Sequence, residues 1–196
     1  MNFTNYVEEK KKEARIKNIE ILRKEIDSFD VREKIKNHVA AFEGIMSEEE
    51  VREGILNNLI IASKFCKDPS KQNISENLAA EVLGLKKLPI SGKNCIRFND
   101  KGEIVRTSSG NTKSADFMLG EYYATQKYTD GMGGAQDNQR NDVIDFLKRG
   151  SINYKVAAIV DGAYWDKYRP ILKKEFENNP NVLITSVTEI TENIKE

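Results

Sequence analysis

Histidine, cysteine and long apolar runs are all scarce in this chain of 196 residues. The single histidine, His38, argues against a catalytic histidine triad and against a zinc site built on several histidines. Cys66 and Cys95 lack metal-ligand spacing and are too few for a disulfide framework, so we expect reduced thiols in a cytoplasmic protein. No run approaches the roughly 20 apolar residues of a membrane span, and the charged N-terminus has no apolar signal core, so we expect no membrane association.

Net charge is the next feature that the chain lacks. Its 31 basic and 31 acidic residues cancel. A strongly basic surface, the usual electrostatic footprint of a nucleic-acid-binding protein, is therefore not a property of the whole chain. Any surface for nucleic acid must come from local charge asymmetry, and an enzyme with acidic metal ligands can be neutral overall.

The first third of the chain predicts helices. Apolar residues repeat there at helical spacing, at Ile19, Leu22, Ile26 and Phe29. Ser47 followed by Glu50 forms a capping-box pattern that predicts the start of a further helix. We expect residues 1–68 to form an N-terminal helical region that serves dimerisation or DNA clamping.

Strands and helices alternate in the rest of the chain. Strand-like segments are 95–98, 103–106, 115–119, 121–128, 156–160 and 182–186, and helical segments are 75–84, 136–148, 164–177 and 188–195. Such alternation predicts an α/β fold, with a mixed β-sheet flanked by helices in residues 69–196 and the helical extension before it.

Asp116 and Lys127 form the pattern most suggestive of chemistry. Asp116 lies in an apolar strand-like segment, and Lys127 ends the next one. Side chains alternate along a strand, so Thr125 and Lys127 share a face, and an adjacent strand can place Asp116 beside them. In phosphodiester hydrolysis a carboxylate can hold Mg²⁺ while a lysine orients or deprotonates the attacking water. The alternative is an ordinary cross-strand ion pair, worth about 1 kcal/mol or less if exposed.

These residues resemble the motifs of the PD-(D/E)XK nuclease superfamily. The segments that carry the resemblance are 114–117, 125–127, 130–139 and 160–165. Within the superfamily they look like type II restriction endonucleases of the MboI/DpnII kind and the FokI cleavage domain. The order of predicted elements over roughly residues 74–190 is also similar. The resemblance implies a restriction-endonuclease-like sheet with Asp116 as the first acidic residue, Lys127 as the lysine and Mg²⁺ as the cofactor.

Thr125 departs from the family pattern, because it occupies the position of the second acidic residue. Some members of the superfamily carry a small hydroxyl residue there and supply the acid from a helix. Glu81 falls on the apolar stripe of the predicted helix 75–84, where a buried carboxylate needs a partner. Glu76 borders the same face, and Asp137, or Asp142 one turn deeper, lies on the helix after the motif. We expect Glu81, Glu76 or Asp137 to complete the metal ligands.

Contacts to DNA are predicted at two places. The polar loop 107–113 contains Asn111 and Lys113, which suit phosphate or base-edge contacts. Gln136 and Gln139 lie in the first turns of the helix after the glycine-rich turn, where amides suit either the catalytic site or the DNA backbone. An ordinary surface loop and a polar helix start are the alternatives.

The function that the resemblance implies is a Mg²⁺-dependent type II restriction endonuclease acting on double-stranded DNA. Cutting both strands requires two active sites, so we expect a homodimer. Two alternatives keep the same fold: the cleavage subunit of a two-part restriction enzyme, or a repair or structure-specific nuclease. A third alternative follows from Thr125, namely an inactive relative that binds DNA without cutting it.

Overall fold

A computed structural model describes residues 2–41, 45–89, 92, 94–106, 112–131 and 134–193. The chain divides into two compact units, one of Tyr6–Ile74 and one of Met1–Asn5 with Ser75–Glu196. The helical unit extends beyond residue 68 because the side-chain amide of Asn18 donates hydrogen bonds to the Lys67 carbonyl and to Gln72.

Eight helices and eight strands are formed by the described residues. The helices are α1 Phe3–Lys24, α2 Phe29–Ala41, α3 Glu48–Asn57, α4 Leu59–Phe65, α5 Ile74–Leu83, α6 Gly134–Gly150, α7 Ala163–Glu175 and α8 Val187–Asn193. The strands are β1 Lys86–Lys87, β2 Arg97–Phe98, β3 Ile104–Val105, β4 Lys113–Ser114, β5 Phe117–Leu119, β6 Tyr122–Tyr128, β7 Val156–Asp161 and β8 Val182–Thr185. None of the helices in these ranges has both the length and the apolar character needed to cross a membrane.

The helical unit follows the apolar and capping patterns of its sequence. The predicted capping box is confirmed: Ser47 accepts from the Glu50 backbone N–H, and the Glu50 side chain accepts from the Ser47 backbone. Asn58 then caps α4 by accepting from the backbone N–H groups of Ile60 and Ile61. The apolar stripe of Ile19, Leu22 and Ile26 packs in the core of this unit, but Phe29 is exposed.

The α/β class and the mixed sheet are confirmed. The main sheet has five strands in the order β1-β5-β6-β7-β8, and a small sheet has the order β3-β2-β4. β1, β5 and β6 pair antiparallel, whereas β6, β7 and β8 pair parallel. β7 is buried along its whole length, as expected for a strand in the middle of a parallel arrangement.

The register of β6 and β7 assigns their side chains to two faces of the main sheet. Thr125 pairs with Ala158, Lys127 with Val160, and Tyr128 with Asp161. Ala158 and Val160 pack in one core with apolar residues of α6, and we name this side the α6 face. Thr125 and Lys127 therefore point to the α6 face, whereas Asp161 points to the opposite face.

β1 was not predicted. It has only two residues, both lysines, so it carries no hydrophobic alternation that a sequence pattern can detect. Its pairing with β5 places Lys87 opposite Phe117, and the Leu88 backbone N–H donates to the Asp116 carbonyl. This short edge strand thereby fixes the backbone at Asp116.

Candidate active site

Asp116 lies immediately before β5, at the edge of the sheet where β6 ends. Its backbone N–H donates to the Ala124 carbonyl and continues the ladder with β6. Because β5 begins at Phe117, the next N–H of β6, that of Gln126, has no strand partner on this side, and it donates to Asp116 Oδ2 at 2.9 Å. The Thr125 hydroxyl donates to the same oxygen at 2.9 Å. The predicted juxtaposition of Asp116 with Thr125 is therefore present.

The surroundings of Asp116 oppose its ionisation. Burial raises the pKa of Asp116 above its ordinary value. The nearby Lys127 charge and the hydrogen bonds from Gln126 and Thr125 lower the pKa of Asp116, but do not cancel that rise. A cation placed at this carboxylate would therefore gain more than at an exposed aspartate, because it would replace the water that burial removes.

Two polar groups at this edge are not used by the fold. Asp116 Oδ1 has no hydrogen-bond partner among the described residues, since both bonds go to Oδ2. Half-buried Lys127 forms no salt bridge with any residue in the described ranges, although its charge affects the pKa of Asp116. The structure therefore contains no direct ion pair between Asp116 and Lys127, which was the alternative prediction. The Lys127 charge instead acts on Asp116 without an ion pair between the two side chains.

Of the two acidic residues predicted on α5, Glu76 rather than Glu81 lies near Asp116. The Glu76 charge lies close enough to Asp116 to raise the pKa of that carboxyl. Its side chain is 23% exposed and accepts from Lys87 Nζ at 2.6 Å. Glu81 is exposed, which corrects the expectation of a buried carboxylate there. The two residues are five apart, so they lie about 140° apart around the helix, and only one can face the site.

Asp137 and Asp142 are engaged elsewhere. Asp137 accepts a hydrogen bond from the Tyr164 hydroxyl at 3.0 Å and lies 3.6 Å from the Arg140 guanidinium. Asp142 pairs with Lys113 Nζ at 2.5 Å. The expectation that Asp137 joins Asp116 receives no support from these contacts, because they direct its carboxylate towards α7.

The predicted DNA contacts have separate outcomes. Asn111 lies outside the described residues. Lys113 is held between Asp142 and Asp145, at 2.5 and 3.7 Å, so its charge is compensated within the fold. The Gln136 side-chain oxygen is buried without a hydrogen-bond partner among the described residues. Gln139 accepts from the Thr129 hydroxyl at 2.8 Å and therefore supports the end of β6.

Thr129 and Gly162, which sequence reasoning missed, lock the ends of β6 and β7 together. The buried Thr129 donates its N–H to the Asp161 carbonyl and accepts from the Tyr164 N–H. Gly162 has φ +100°, and a Cβ there would lie 2.3 Å from the Thr129 carbonyl oxygen. Only glycine fits this approach. The signal available in the sequence was the Asp161-Gly162 pair. The contacts of Thr129 with this pair hold the end of β6, two residues beyond Lys127.

Asp161 is a second buried carboxyl at this edge, on the opposite face of the sheet. Both of its oxygens accept from the Val187 N–H at 3.2 Å. Burial raises the pKa of Asp161 to about 7. It lines a cavity of about 630 Å³ with Arg169 and Glu189, which pair with each other at 3.3 Å. Asp161 thus links β7 to α8, and Arg169, which also donates to the Val160 carbonyl, links α7 to both.

The carboxylates of Asp116 and Glu76 are of the type that binds a magnesium ion with few protein ligands. Mg²⁺ is commonly bound by one or two carboxylates and retains several waters. Asp116 Oδ1, which has no hydrogen-bond partner among the described residues, would supply one such ligand, and Glu76 would supply a second if it released Lys87. No cluster of three or more histidine, cysteine or acidic residues able to hold a metal occurs within the described ranges, so a fully protein-built cage is not formed there.

Comparison with known proteins gives no relative for this chain. No protein-family model matches it, no curated protein matches it, and no solved structure matches it.

Proposed function

We propose that this protein is a Mg²⁺-dependent endodeoxyribonuclease, and specifically a type II restriction endonuclease that cuts double-stranded DNA as a homodimer. The observation that carries the proposal is the pair formed by Asp116 Oδ1 and the nearby Lys127 at the end of β6, which have no hydrogen-bond and no salt-bridge partner, respectively, among the described residues. A buried acid beside an unpaired lysine at a sheet edge is suited to phosphoryl chemistry rather than to stability.

The chain's own residues have separate tasks in this proposal. Asp116, with Glu76 beside it, would hold the ion, which when bound lowers the pKa of a coordinated water and offsets charge on the phosphate. Thr125 fixes the rotamer of Asp116 through its hydroxyl, which leaves Oδ1 directed away from β6. Lys127 would orient the attacking water and offset negative charge on the phosphate oxygens.

The element order supports the proposal. Helix α5, the antiparallel strands β1, β5 and β6, helix α6 and the parallel strand β7 follow one another along the chain. This order is similar to that of the PD-(D/E)XK core. The acidic residue on the helix before the strands has a counterpart in Glu76. The charges of Glu76 and Lys127 both act on Asp116, which supports a shared role for the three residues.

The experiment is a cleavage assay of mixed plasmid and genomic DNA with Mg²⁺, using the wild type and the Asp116→Ala and Lys127→Ala variants. We expect discrete fragments from the wild type and none from either variant. Nicking of only one strand would favour a cleavage subunit, and cutting confined to damaged or branched DNA would favour a repair nuclease. A wild type that cuts nothing, or variants that cut as well as the wild type, would refute the proposal.

A second function is favoured by one specific observation. Thr125 is a poorer Mg²⁺ ligand than a carboxylate, and its hydroxyl is used as a donor to Asp116. If Glu76 does not compensate, the fold binds DNA without cutting it. Binding of duplex DNA with no cleavage in Mg²⁺ or Mn²⁺ would select this reading.

A further inference from the structure

Helices α6 and α7 both begin at the edge of the sheet that carries Lys127. β6 ends at Tyr128 and β7 at Asp161, and these parallel strands lead into the two helices. The Tyr164 hydroxyl of α7 donates to Asp137 of α6, so the first turns of the two helices are joined. Side chains in the second turns of both helices therefore lie within one or two turns, about 5–10 Å, of this edge.

A cluster of two cations and a tyrosine pair lies at this junction. The rings of Tyr164 and Tyr168 have centroids 4.5 Å apart. The Arg140 guanidinium is 4.9 Å from the centroid of the Tyr168 ring, and Lys167 Nζ is 5.4 Å from the same centroid. We name Arg140, Lys167 and Tyr168 the arginine–tyrosine cluster.

The charges of this cluster are only partly compensated. Arg140 has Asp137 at 3.6 Å, and that carboxylate is 57% exposed. Lys167 is exposed and forms no ion pair with any residue in the described ranges. Two cations held at one ring are within about one Debye length of each other at 0.1 M salt, so they repel. Anions bound next to Arg140 and Lys167 would relieve the repulsion between these two side chains.

We propose that the arginine–tyrosine cluster contacts the phosphate backbone of the DNA next to the bond that is cut. This inference rests on the proposed function, which supplies the DNA and places its scissile phosphate at Lys127. Arg140 and Lys167 each neutralise a backbone phosphate, and Tyr168 holds their side chains in place through its ring.

The test measures binding of a labelled duplex of random sequence in EDTA, so that cutting plays no part. Affinity is recorded against salt concentration for the wild type and for Lys167→Gln and Arg140→Gln. Lys174→Gln is the matched control, since it lies seven residues further along α7, on the same side of the helix and about 10 Å from Lys167. Arg140→Lys keeps the charge at the other position.

We expect Lys167→Gln and Arg140→Gln each to reduce the slope of log affinity against log salt by about one, with a loss of affinity of about threefold or more. Lys174→Gln and Arg140→Lys should keep the wild-type slope. Unchanged slopes for Lys167→Gln and Arg140→Gln would overturn the inference, as would an equal loss in Lys174→Gln.

The outcomes separate this inference from the proposed function. If the cluster variants keep the wild-type slope while Asp116→Ala abolishes cutting, the phosphate contact is wrong and the nuclease stands. If the slopes fall but the wild type cuts no DNA, the contact stands and the catalytic assignment is wrong. A wild type that binds no duplex DNA contradicts both.

Discussion

Asp116 and Asp161 are two carboxyls at the same edge of one sheet, and they differ in what their oxygens contact. Burial raises the pKa of both above the ordinary value for aspartate. Asp161 has both oxygens bonded to the Val187 N–H, inside a network of paired charges. Asp116 has one oxygen bonded twice, whereas its other oxygen and the nearby Lys127 have no partner in the part of the chain that the structure describes.

The difference shows why a perturbed pKa does not by itself identify a catalytic acid. Structural networks shift pKa values as strongly as active sites do. Asp161 has the larger shift, to about 7, and yet both of its oxygens already accept a hydrogen bond within the protein. In the function proposed above, the Asp116 oxygen that has no partner among the described residues is what distinguishes a ligand site from a structural carboxyl.

Lys127→Met should cause the largest effect. Removal of the ammonium leaves the attacking water unoriented, so we expect the rate of DNA cleavage in Mg²⁺ to fall by about 10²- to 10⁴-fold. The matched control is Lys155→Met, which removes a lysine that pairs with Glu121 next to β7. Equal rates for Lys127→Met and the wild type would remove Lys127 from the mechanism.

Asp161→Asn should change stability with pH. The folded state favours the protonated form of Asp161, so the wild type loses stability as pH rises from about 4 to about 7. Asparagine can still accept from Val187 and does not ionise. The free energy of unfolding of Asp161→Asn relative to the wild type should therefore rise over that window, by up to about 4 kcal/mol.

Urea unfolding at a series of pH values measures this difference. Glu177→Gln is the control, because it removes an exposed carboxylate that follows α7. A stability difference that does not depend on pH would show that burial of Asp161 is compensated in some other way.

Gly162→Ala should destabilise the fold by about 3 kcal/mol, because its Cβ would meet the Thr129 carbonyl oxygen at 2.3 Å and its φ is +100°. Gly84→Ala is the matched control. Gly84 also has positive φ, at +61°, but nothing lies within 4 Å of the added Cβ, so we expect a cost of about 1 kcal/mol. Denaturant midpoints measure both, and equal costs would show that the contact with Thr129 is easily relieved.

Glu76→Gln should have the smallest effect, an increase of about tenfold in the Mg²⁺ concentration that gives half-maximal cleavage. The exposed Glu81→Gln, on the same helix, is the control and should match the wild type. If Glu81→Gln raises the Mg²⁺ requirement and Glu76→Gln does not, the other face of α5 serves the metal.

Strand alternation was enough to predict that Asp116 and Thr125 meet, because pairing of neighbouring strands depends on a short segment of sequence. The choice between Glu76 and Glu81 could not be made from sequence, since both border the apolar stripe and only packing decides which side faces the sheet. β1 was missed because two lysines show no alternation. The contact of Asp161 with Val187 joins residues 26 apart, and no local pattern encodes it.

The most direct measurement is the rate of plasmid cleavage in Mg²⁺ by the wild type, Asp116→Asn and Asp161→Asn, compared at a pH where all three are folded. We predict that Asp116→Asn loses cleavage by at least about 10²-fold, whereas Asp161→Asn cuts at close to the wild-type rate. Loss of cleavage in Asp161→Asn with retention in Asp116→Asn would place the catalytic site on the opposite face of the sheet and contradict the assignment.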